Sequence, residues 1–286
     1  MGKDAVVAQQ EILNTPVNAL DSDVPILGRI GSLQTRLART ITEVQAAQAL
    51  RYDIFYGEMG GTTNVDNLQN RRDEDRFDSH CDHLLVIDTK HDRQQIVGTY
   101  RMMMPSHAEQ AGGFYTQSEF DLQPLFSSNA DARVLELGRS CILPTYRNKR
   151  TMELLWHGTW AYAVARKIDI MFGCASFGGI DPNAISNALS WLGKNAAMKK
   201  QENCPAVVPD SVALASFDSG DVDLREAMKI MPPLIKGYLR LGAQIGSHAV
   251  IDRLFGTIDV LVVLKVAQIN PRYLAHYGVD ASRYSD

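Results

Sequence analysis

The sequence predicts an α+β fold, arranged in α/β/α-like layers with a mixed, twisted β-sheet flanked by helices. An apolar run at residues 134–143, closed by Pro144, has the composition of a central strand. A second apolar segment, residues 151–165, is long enough for a buried helix. The continuous apolar stretch DVLVVLKV at residues 259–266 is typical of a buried strand. Strands and helices alternate along the chain, which indicates one sheet covered by helices.

Composition and charge indicate an ordinary soluble protein. The 286 residues carry a net charge of −4, so no excess of positive charge favours binding to nucleic acid. No apolar run approaches the ~20 residues that span a bilayer, and Asp4 and Gln9 interrupt any secretory signal. We therefore expect a cytoplasmic protein whose membrane contact is at most peripheral, at the inner surface. No CxxC pair occurs, so we expect no metal site and four reduced thiols, at Cys81, Cys141, Cys174 and Cys204.

The strength of the patterns divides the chain into three parts. Residues 1–32 show little periodicity and are predicted to form a poorly ordered extension, residues 33–277 form one domain, and residues 278–286 form a tail. Residues 33–39 alternate as a strand does, and Thr40 with Glu43 forms a capping-box pattern that begins a helix. That helix has apolar residues at helical spacing, namely Val44, Ala47, Leu50 and Ile54. Residues 62–80 follow as a polar loop of mixed charge.

The middle of the chain alternates between strands and helices. Residues 83–88 and 95–104 are predicted strands joined by a turn at 91–93, and 112–126 are irregular with a short helix. The strand at 134–143 and the helix at 151–165 come next. A short strand at 170–175 is broken at 176–179, and Asp181 and Pro182 then begin a helix that ends near Leu192. A short strand is predicted at 206–208.

One segment in the C-terminal third has two interpretations. Residues 224–238 are helical except for a break at Pro232 and Pro233. Residues 231–245 mix apolar side chains with Lys236 and Arg240, which suits either contact with an anionic membrane surface or a buried helix. The strand at 259–266 and a short helix at 271–277 complete the domain.

A basic turn joins the central strand to the long helix. Arg147, Lys149 and Arg150 lie at the predicted start of that helix, where unpaired backbone N–H groups attract anions. The pattern therefore predicts an anion site, and an ordinary solvated connection is the alternative.

Several motifs resemble those of known acyltransferases. PTYR at residues 144–147, which opens a helix after a strand, resembles the acyl-donor motif of GCN5-related N-acetyltransferases (GNAT). Motifs that resemble the acyl-homoserine-lactone synthase branch are LRYDIFYGEMG at residues 50–60, Asp73-x-Asp75-x-x-Asp78, Arg101 in YRMMMP, and Glu136-x-x-Arg139. The stretches DRFDSHCDHLLVID, ELGRSCILPTYRNKR and GYLRLGAQIGSHAVIDRLFGTIDVLVVLK resemble ornithine-lipid acyltransferases, and this likeness covers about residues 33–277.

The resemblance implies a GNAT-type fold and an N-acyl transfer. In this fold the central strands splay apart and receive the pantetheine of the acyl donor, whose thioester is attacked by an amine. The implied reaction transfers a 3-hydroxyacyl group from acyl carrier protein to the α-amine of L-ornithine and gives lyso-ornithine lipid. Alternatives are an acyl-homoserine-lactone-type signal synthase, an N-acyltransferase for another amino acid, and a membrane- or carrier-protein-binding protein without catalysis.

One departure from the superfamily pattern concerns the donor. Acetyl-CoA users have a glycine-rich pyrophosphate loop, whereas the matching turn here, RNKRT at residues 147–151, contains no glycine. The single phosphodiester of a phosphopantetheine on acyl carrier protein fits such a turn better. The resemblance therefore implies Arg147, Lys149 and Arg150 as donor-binding residues, with the donor a co-substrate and no permanently bound cofactor.

The resemblance also implies roles around the reacting amine. Glu136 is the expected general base and Arg139 its catalytic partner, and a buried ion pair between the two is the alternative. They reach one face of the strand only if it bulges, which Gly138 would allow. The candidates for the α-carboxylate of the acceptor are Arg51, Arg101 and Arg139. The candidates for its side-chain ammonium are Asp75, Asp78 and Asp82, with a solvated acidic turn as the alternative. Asp252 is a lesser candidate for a functional role, with a capping or structural role as the alternative.

Overall fold

The computed structural model describes residues 24–90, 94–217, 224–269 and Tyr273. These residues form one sheet whose strands are β1 (Gly28–Ile30), β2 (Leu33–Leu37), β3 (Asp82–Asp88), β4 (Gln95–Met103), β5 (Val134–Ile142), β6 (Ile170–Gly178), β7 (Ser211–Ala213), β8 (Gln244–Asp252) and β9 (Thr257–Lys265). Their order across the sheet is β1-β2-β3-β4-β5-β6-β9-β8-β7. Neighbouring strands are antiparallel except β5 and β6, which are parallel, so the sheet is mixed as predicted.

Helices cover both faces of this sheet. They are α1 (Ile41–Tyr52), α2 (Val65–Asn70), α3 (Pro105–Ala111), α4 (Gln123–Ser127), α5 (Lys149–Ala165), α6 (Ser186–Asn195), α7 (Leu224–Ile230) and α8 (Pro233–Leu241). β3 shows the layering directly, because its successive side chains point to opposite faces. Leu84 packs in one core cluster with Leu154 of α5, whereas Leu85 packs in another with Ala47 of α1. The predicted layered α+β arrangement is confirmed.

The elements with the strongest sequence patterns occur where they were predicted. β2, β3, β4, β5, β9 and α5 differ from their predicted bounds by no more than two residues at either end. α1 begins at Thr40, whose hydroxyl accepts a hydrogen bond from the backbone N–H of Glu43 at 3.2 Å. Only half of the capping box forms, because the Glu43 carboxylate accepts the backbone N–H of Arg39 and pairs with Arg36.

Other predictions are wrong in detail. β6 continues through Gly178, where a break was predicted, because β9 pairs with it residue by residue as far as Thr257. β8 was not predicted at all, since its central Gly246, Ser247 and His248 lack strand-like alternation. The strand predicted at 206–208 is a single bridge, and the strand forms at Ser211–Ala213 instead. The polar loop at 62–80 contains α2 and a 3₁₀ turn at Asp78–His80.

The sheet begins before the predicted domain boundary at residue 33. β1 lies within the predicted extension 1–32, yet it pairs with β2 in register from Gly28–Thr35 to Ile30–Leu33. The remainder of that extension up to residue 23, the turn at 91–93 and the tail at 278–286 lie outside the described residues. The helix predicted at 271–277 also lies outside them, apart from Tyr273.

The segment with two interpretations forms a helix that is buried along one face. The predicted break falls between α7 and α8, and Pro232 caps α8. The apolar face of α8 is directed to the core through Ile235, Tyr238 and Leu241, while Arg240 is exposed. None of the helices within the described ranges has the length and apolar character needed to cross a bilayer.

Candidate active site

The central feature of the sheet is a fork between its two parallel strands. β5 and β6 pair only from Val134–Ile170 to Glu136–Phe172, although β5 continues to Ile142 and β6 to Gly178. We call this unpaired region the β5–β6 fork. A cavity of about 200 Å³ opens into it and is lined by residues of β4, β5, β6 and β9. The structure thus contains the splayed central pair that the resemblance implies.

Close backbone contact holds the two strands together at the root of the fork. A Cβ atom at Gly173 would lie 2.1 Å from the carbonyl oxygen of Leu137, so no side chain fits there. We expect Gly173→Ala to cost about 1–3 kcal/mol of unfolding free energy, because β6 must move away from β5. The rate of acyl transfer should also fall in this variant, since the shape of the fork changes.

Thermal or urea unfolding of Gly173→Ala checks this expectation. Gly178→Ala is the matched control, because it lies on the same strand and a Cβ atom there would meet nothing within 4 Å. Equal stability of the two variants would show that the backbone contact at Leu137 does not constrain the fork.

A bulge in β5 directs its functional side chains into the cavity. The register with β4 shifts between the pairs Thr99–Cys141 and Arg101–Gly138, and Arg139 adopts a left-handed φ of 52°. Both Glu136 and Arg139 line the cavity as a result. The predicted bulge is present, but Arg139 rather than Gly138 takes the left-handed conformation. A non-glycine residue in this region is strained, and such strain is concentrated at functional sites.

Glu136 lies at the root of the fork and is buried. Its two carboxylate oxygens accept backbone N–H groups from Tyr115 at 3.1 Å and Thr116 at 2.7 Å, at the start of the 3₁₀ turn Tyr115–Ser118. Burial raises the pKa of Glu136 above its ordinary value, although these N–H groups oppose the shift. A fixed carboxylate with increased basicity is suited to accept a proton.

The alternative considered for Glu136 and Arg139, a buried ion pair between them, does not occur. The Arg139 Nε lies 3.2 Å from Asp73 Oδ2, and its Nη2 lies 3.3 Å from Asp75 Oδ2. Its guanidinium lies between the rings of Tyr115 and Phe255, at 4.6 and 4.7 Å from their centroids. Arg139 is therefore held in place by aromatic stacking and by the acidic motif.

The acidic motif and three arginines form one charge-balanced group, which we call the arginine–aspartate network. Arg51 binds Asp73 at 2.8 Å and Asp78 at 2.9 Å, and Arg101 binds Asp75 at 2.7 Å and Asp78 at 3.2 Å. Its members are Arg51, Arg101, Arg139, Asp73, Asp75 and Asp78. Burial alone would raise the pKa of Asp78, yet Arg51 and Arg101 hold it well below its usual range.

Within this network the predicted substrate-binding residues bind one another. Asp78 is bound on both oxygens by Arg51 and also accepts a hydrogen bond from Gln48 at 3.1 Å. Arg51 is fully buried and does not line the cavity, whereas Arg101 does. The structure brings the predicted residues together, but as partners of one another around the base of the site. The solvated acidic turn considered above is excluded, because Asp73 and Asp78 are buried.

Asp82 is not part of this group. It opens β3 opposite Met102, so its side chain points to the other face of the sheet from Arg101. There it accepts hydrogen bonds from Tyr162 at 2.5 Å and Arg166 at 3.2 Å, near the C-terminus of α5. The structure places Asp82 in a brace between β3 and α5 and away from the cavity.

The predicted donor-binding residues surround the start of α5. Arg147 forms a two-pronged ion pair with Glu58, at 2.5 and 2.6 Å. Lys149 and Arg150 are exposed, and Lys149 has only a 3.6 Å contact with Glu153. Asn148 caps the helix by accepting the N–H groups of Arg150 and Thr151. An incoming anion would thus meet charged side chains before free backbone donors.

Sequence reasoning missed a second acidic group at the cavity. Glu119, Asp252 and Asp259 place carboxylate oxygens within 4.8 Å of one another, and we call them the acidic trio. Burial and the other carboxylates raise the pKa of Glu119 to about 8 and that of Asp259 to about 6. Only Asp252 had been singled out. A usable signal was Asp259, a charged residue inside the otherwise apolar stretch DVLVVLKV.

The chain is similar to known acyltransferases. The family described as acetyltransferase (GNAT) domain matches residues 50–157, which include the end of α1, all of β3, β4 and β5, and the first half of α5. The solved structure of FeeM, an N-acyl amino acid synthase from uncultured soil microbes, aligns over 82% of this chain and 91% of its own, with a TM-score of 0.41 and 9% identity.

Curated relatives cover nearly the whole chain. The L-ornithine N(alpha)-acyltransferase of Brucella abortus is 48% identical over 93% of this chain and 96% of its own length. The enzyme of the same name from Rhizobium meliloti is 46% identical over 91% of this chain and 89% of its own. Identity of this extent, together with the GNAT domain, shows that the chain is an acyltransferase and belongs to the L-ornithine Nα-acyltransferase family.

Proposed function

We propose that this acyltransferase transfers a 3-hydroxyacyl group from acyl carrier protein to the α-amine of L-ornithine and so produces lyso-ornithine lipid. The names of its relatives support ornithine as the acceptor. The observation that carries the proposal is Glu136, a buried carboxylate of raised pKa at the root of the β5–β6 fork. Glu136 lines the cavity, so a base and the space for an acyl thioester lie in one place.

The fork suits an extended donor arm. Beyond the pair Glu136–Phe172 the facing edges of β5 and β6 have no strand between them. The pantetheine arm carries two amides, so it can bind such an edge as an added strand would. The thioester at its end then reaches the cavity that Glu136, Arg139 and Met103 line.

Acyl transfer at this position has a simple proton balance. The α-amine loses a proton to Glu136 and its nitrogen attacks the thioester carbonyl, which forms the C–N bond. Collapse of the tetrahedral intermediate breaks the C–S bond, and the leaving pantetheine thiolate takes up the proton that Glu136 had accepted, which restores the carboxylate. Arg139, fixed between Tyr115 and Phe255, presents positive charge to the cavity where negative charge develops.

The exposed charges at the start of α5 are proposed to bind the carrier protein. Lys149→Glu combined with Arg150→Glu should raise the KM for acyl-acyl carrier protein by about tenfold and leave kcat nearly unchanged. The effect should shrink as salt is added, because both side chains are exposed. Initial rates at varied donor concentration measure this.

A matched charge reversal controls for net charge. Lys199 and Lys200 are exposed beside the 3₁₀ turn Lys200–Glu202, where Glu202 pairs with Lys265 at the far end of β9. Lys199→Glu with Lys200→Glu should therefore leave the KM unchanged. An equal KM increase in both double variants would show that the turn at Lys149 and Arg150 is not the docking surface.

The donor and the alternatives are tested together. We expect higher kcat/KM with a 3-hydroxyacyl-acyl carrier protein than with the matching acyl-CoA, using ornithine as acceptor. Product analysis with S-adenosylmethionine or other amino acids as acceptors separates a signal synthase or a different N-acyltransferase from the proposed enzyme. Folded protein that releases no thiol from either donor with any acceptor would contradict the proposal and favour a carrier-binding protein.

A further inference from the structure

The acidic trio adjoins the same cavity through Asp259, while Glu119 and Asp252 lie behind it within 4.8 Å. Glu119 follows the 3₁₀ turn Tyr115–Ser118, Asp252 ends β8, and Asp259 lies in β9. Asp259 and its neighbour Thr257 line the cavity directly. Three separate parts of the chain thus bring carboxylates to one point, at residues where the exposed fraction is only 7% for Glu119 and 6% for Asp259.

Within the described residues no ion pair neutralises this trio, and the nearby charge of Arg139 only partly opposes the rise in the pKa values of Glu119 and Asp259. Among those residues, none of the lysines, arginines or histidines forms an ion pair with Glu119, Asp252 or Asp259. Asp259 Oδ1 is buried and has no hydrogen-bond partner within the described residues. The side chains of Ser176 and Thr257 lie close enough to the Asp259 carboxylate to oppose the rise in its pKa, but neither carries a positive charge. The contrast with the arginine–aspartate network is direct, because every carboxylate there has an arginine partner.

Asp252 is half-buried and accepts the backbone N–H groups of Leu254 and Phe255, and Glu119 accepts a hydrogen bond from Cys174. Buried carboxylates without an ion-pair partner are nevertheless costly, since these contacts replace the lost water only in part. The raised pKa values of Glu119 and Asp259 express that cost. Proteins retain such groups mainly at sites where a ligand completes them. The missing partner here is a cation with hydrogen-bond donors.

The trio is connected to the catalytic carboxylate. Thr116 donates its backbone N–H to Glu136 at 2.7 Å, and its hydroxyl lies 3.8 Å from the Cys174 sulfur. That sulfur in turn lies 3.5 Å from Glu119 Oε2. Glu136 and Glu119 are therefore at opposite ends of one short run of contacting residues along the cavity wall.

We infer that the acidic trio binds the side-chain ammonium of the amino-acid acceptor while its α-amine lies at Glu136. The inference rests on the proposed function and specifies its substrate as an amino acid with a second, cationic amine. An ammonium group supplies three donors, which suits three carboxylates at one point. The trio would thereby select ornithine over uncharged amino acids of the same length.

The test compares ornithine with norvaline, which has the same carbon chain without the side-chain amine. We expect the wild-type protein to prefer ornithine in kcat/KM by at least about 10²-fold, because norvaline leaves the buried carboxylates unpaired. Asp259→Asn and Glu119→Gln should each lower that preference by about tenfold or more, chiefly through the ornithine KM. Asp181→Asn, an exposed cap at the start of the 3₁₀ turn before α6, is the control and should retain the preference.

The outcomes separate this inference from the proposed function. Ornithine acylation by the wild type with an unchanged ornithine-to-norvaline preference in both folded variants would overturn the inference alone. Absence of any ornithine product from the wild type would overturn the proposed function. Activity that is lost on chelation and restored by a divalent cation would assign the trio to a metal ion and also overturn the inference.

The pH dependence gives a second measurement. An ammonium binds the ionised trio, so ornithine affinity should rise as the pH increases from about 6 to about 8, where Asp259 and Glu119 ionise. Norvaline should lack this rise. The other charged or titratable groups that face the trio are Cys174, Tyr115 and Arg139, and all three are unchanged in the comparison. The same pH profile for both acceptors would contradict the inference.

Discussion

Glu136→Gln is expected to lower kcat for acyl transfer to ornithine by about 10²–10⁴-fold. An amide has no basic lone pair for the α-amine proton, whereas the buried carboxylate has raised basicity. The side chain keeps its size, and its carbonyl oxygen still accepts one of the N–H groups of Tyr115 and Thr116. The KM for both substrates should change far less than kcat, because the lost group acts on the reacting proton.

The pH profile distinguishes a base from a merely structural residue. In the wild type the acidic limb of kcat/KM should lie above the ordinary glutamate range, since Glu136 must be ionised to accept a proton and burial raises its pKa. That limb should be absent from the residual activity of Glu136→Gln. A folded variant that retains full turnover would show that another group, such as Glu119, removes the proton.

Arg51→Met should cause the largest loss of stability, about 3–5 kcal/mol of unfolding free energy. Arg51 is fully buried, and its removal leaves Asp73 and Asp78 without their closest cation. The loss corresponds to a fall of about 10 °C in Tm for a chain of this size. Thermal unfolding near neutral pH measures it.

The loss has a defined pH dependence. In the wild type the pKa of Asp78 is held low, so this carboxylate stabilises the fold above its unfolded pKa and loses that contribution as pH falls through its folded pKa. The deficit of Arg51→Met should therefore be largest near neutral pH and shrink below about pH 4, where the unpaired aspartates become protonated.

An exposed ion pair supplies the control for this prediction. Arg71 pairs with Asp53 at 3.0 Å, but their side chains are 73% and 59% exposed. Arg71→Met should therefore change the unfolding free energy by no more than about 0.5 kcal/mol. Equal effects of the two substitutions would mean that the arginine–aspartate network is not a structural support for the site.

The sequence was most informative where local pattern and tertiary structure agree. β3, β5 and β9 are nearly continuous apolar runs, and buried strands between helices require such runs. β8 shows the opposite case, because its Gly246, Ser247 and His248 give no strand signal. That strand forms since β9 on one side and β7 on the other pair with it.

Motif resemblance located Glu136 and Arg139 at the site but did not reveal their partners. Asp75 and Asp78 share a motif with Asp73, yet the arginines that bind them come from α1, β4 and β5. Asp82 begins β3 and pairs with Met102, so strand alternation directs its side chain to the face of the sheet opposite that of Arg101. Because Asp82 is close in sequence to Asp75 and Asp78, the three were predicted to act together. The fold instead directs Asp82 away from the other two.

The acidic trio could not be found from local sequence. Glu119 is separated by more than 130 residues from Asp252, and only Asp252 and Asp259 lie in one of the stretches that resemble known acyltransferases. The three carboxylates meet only because β9 lies between β6 and β8, while the 3₁₀ turn that precedes Glu119 packs over the fork. Long-range contacts of this kind depend on the topology of the sheet.

The most direct test of the whole account is the structure of the product. Purified protein is incubated with 3-hydroxyacyl-acyl carrier protein and L-ornithine, thiol release is followed, and the product is fragmented by mass spectrometry. We expect one Nα-(3-hydroxyacyl)ornithine per thiol released, because the α-amine lies at Glu136 while the trio holds the side-chain ammonium. Acylation at the side-chain nitrogen, or thiol release without an ornithine product, would contradict the account.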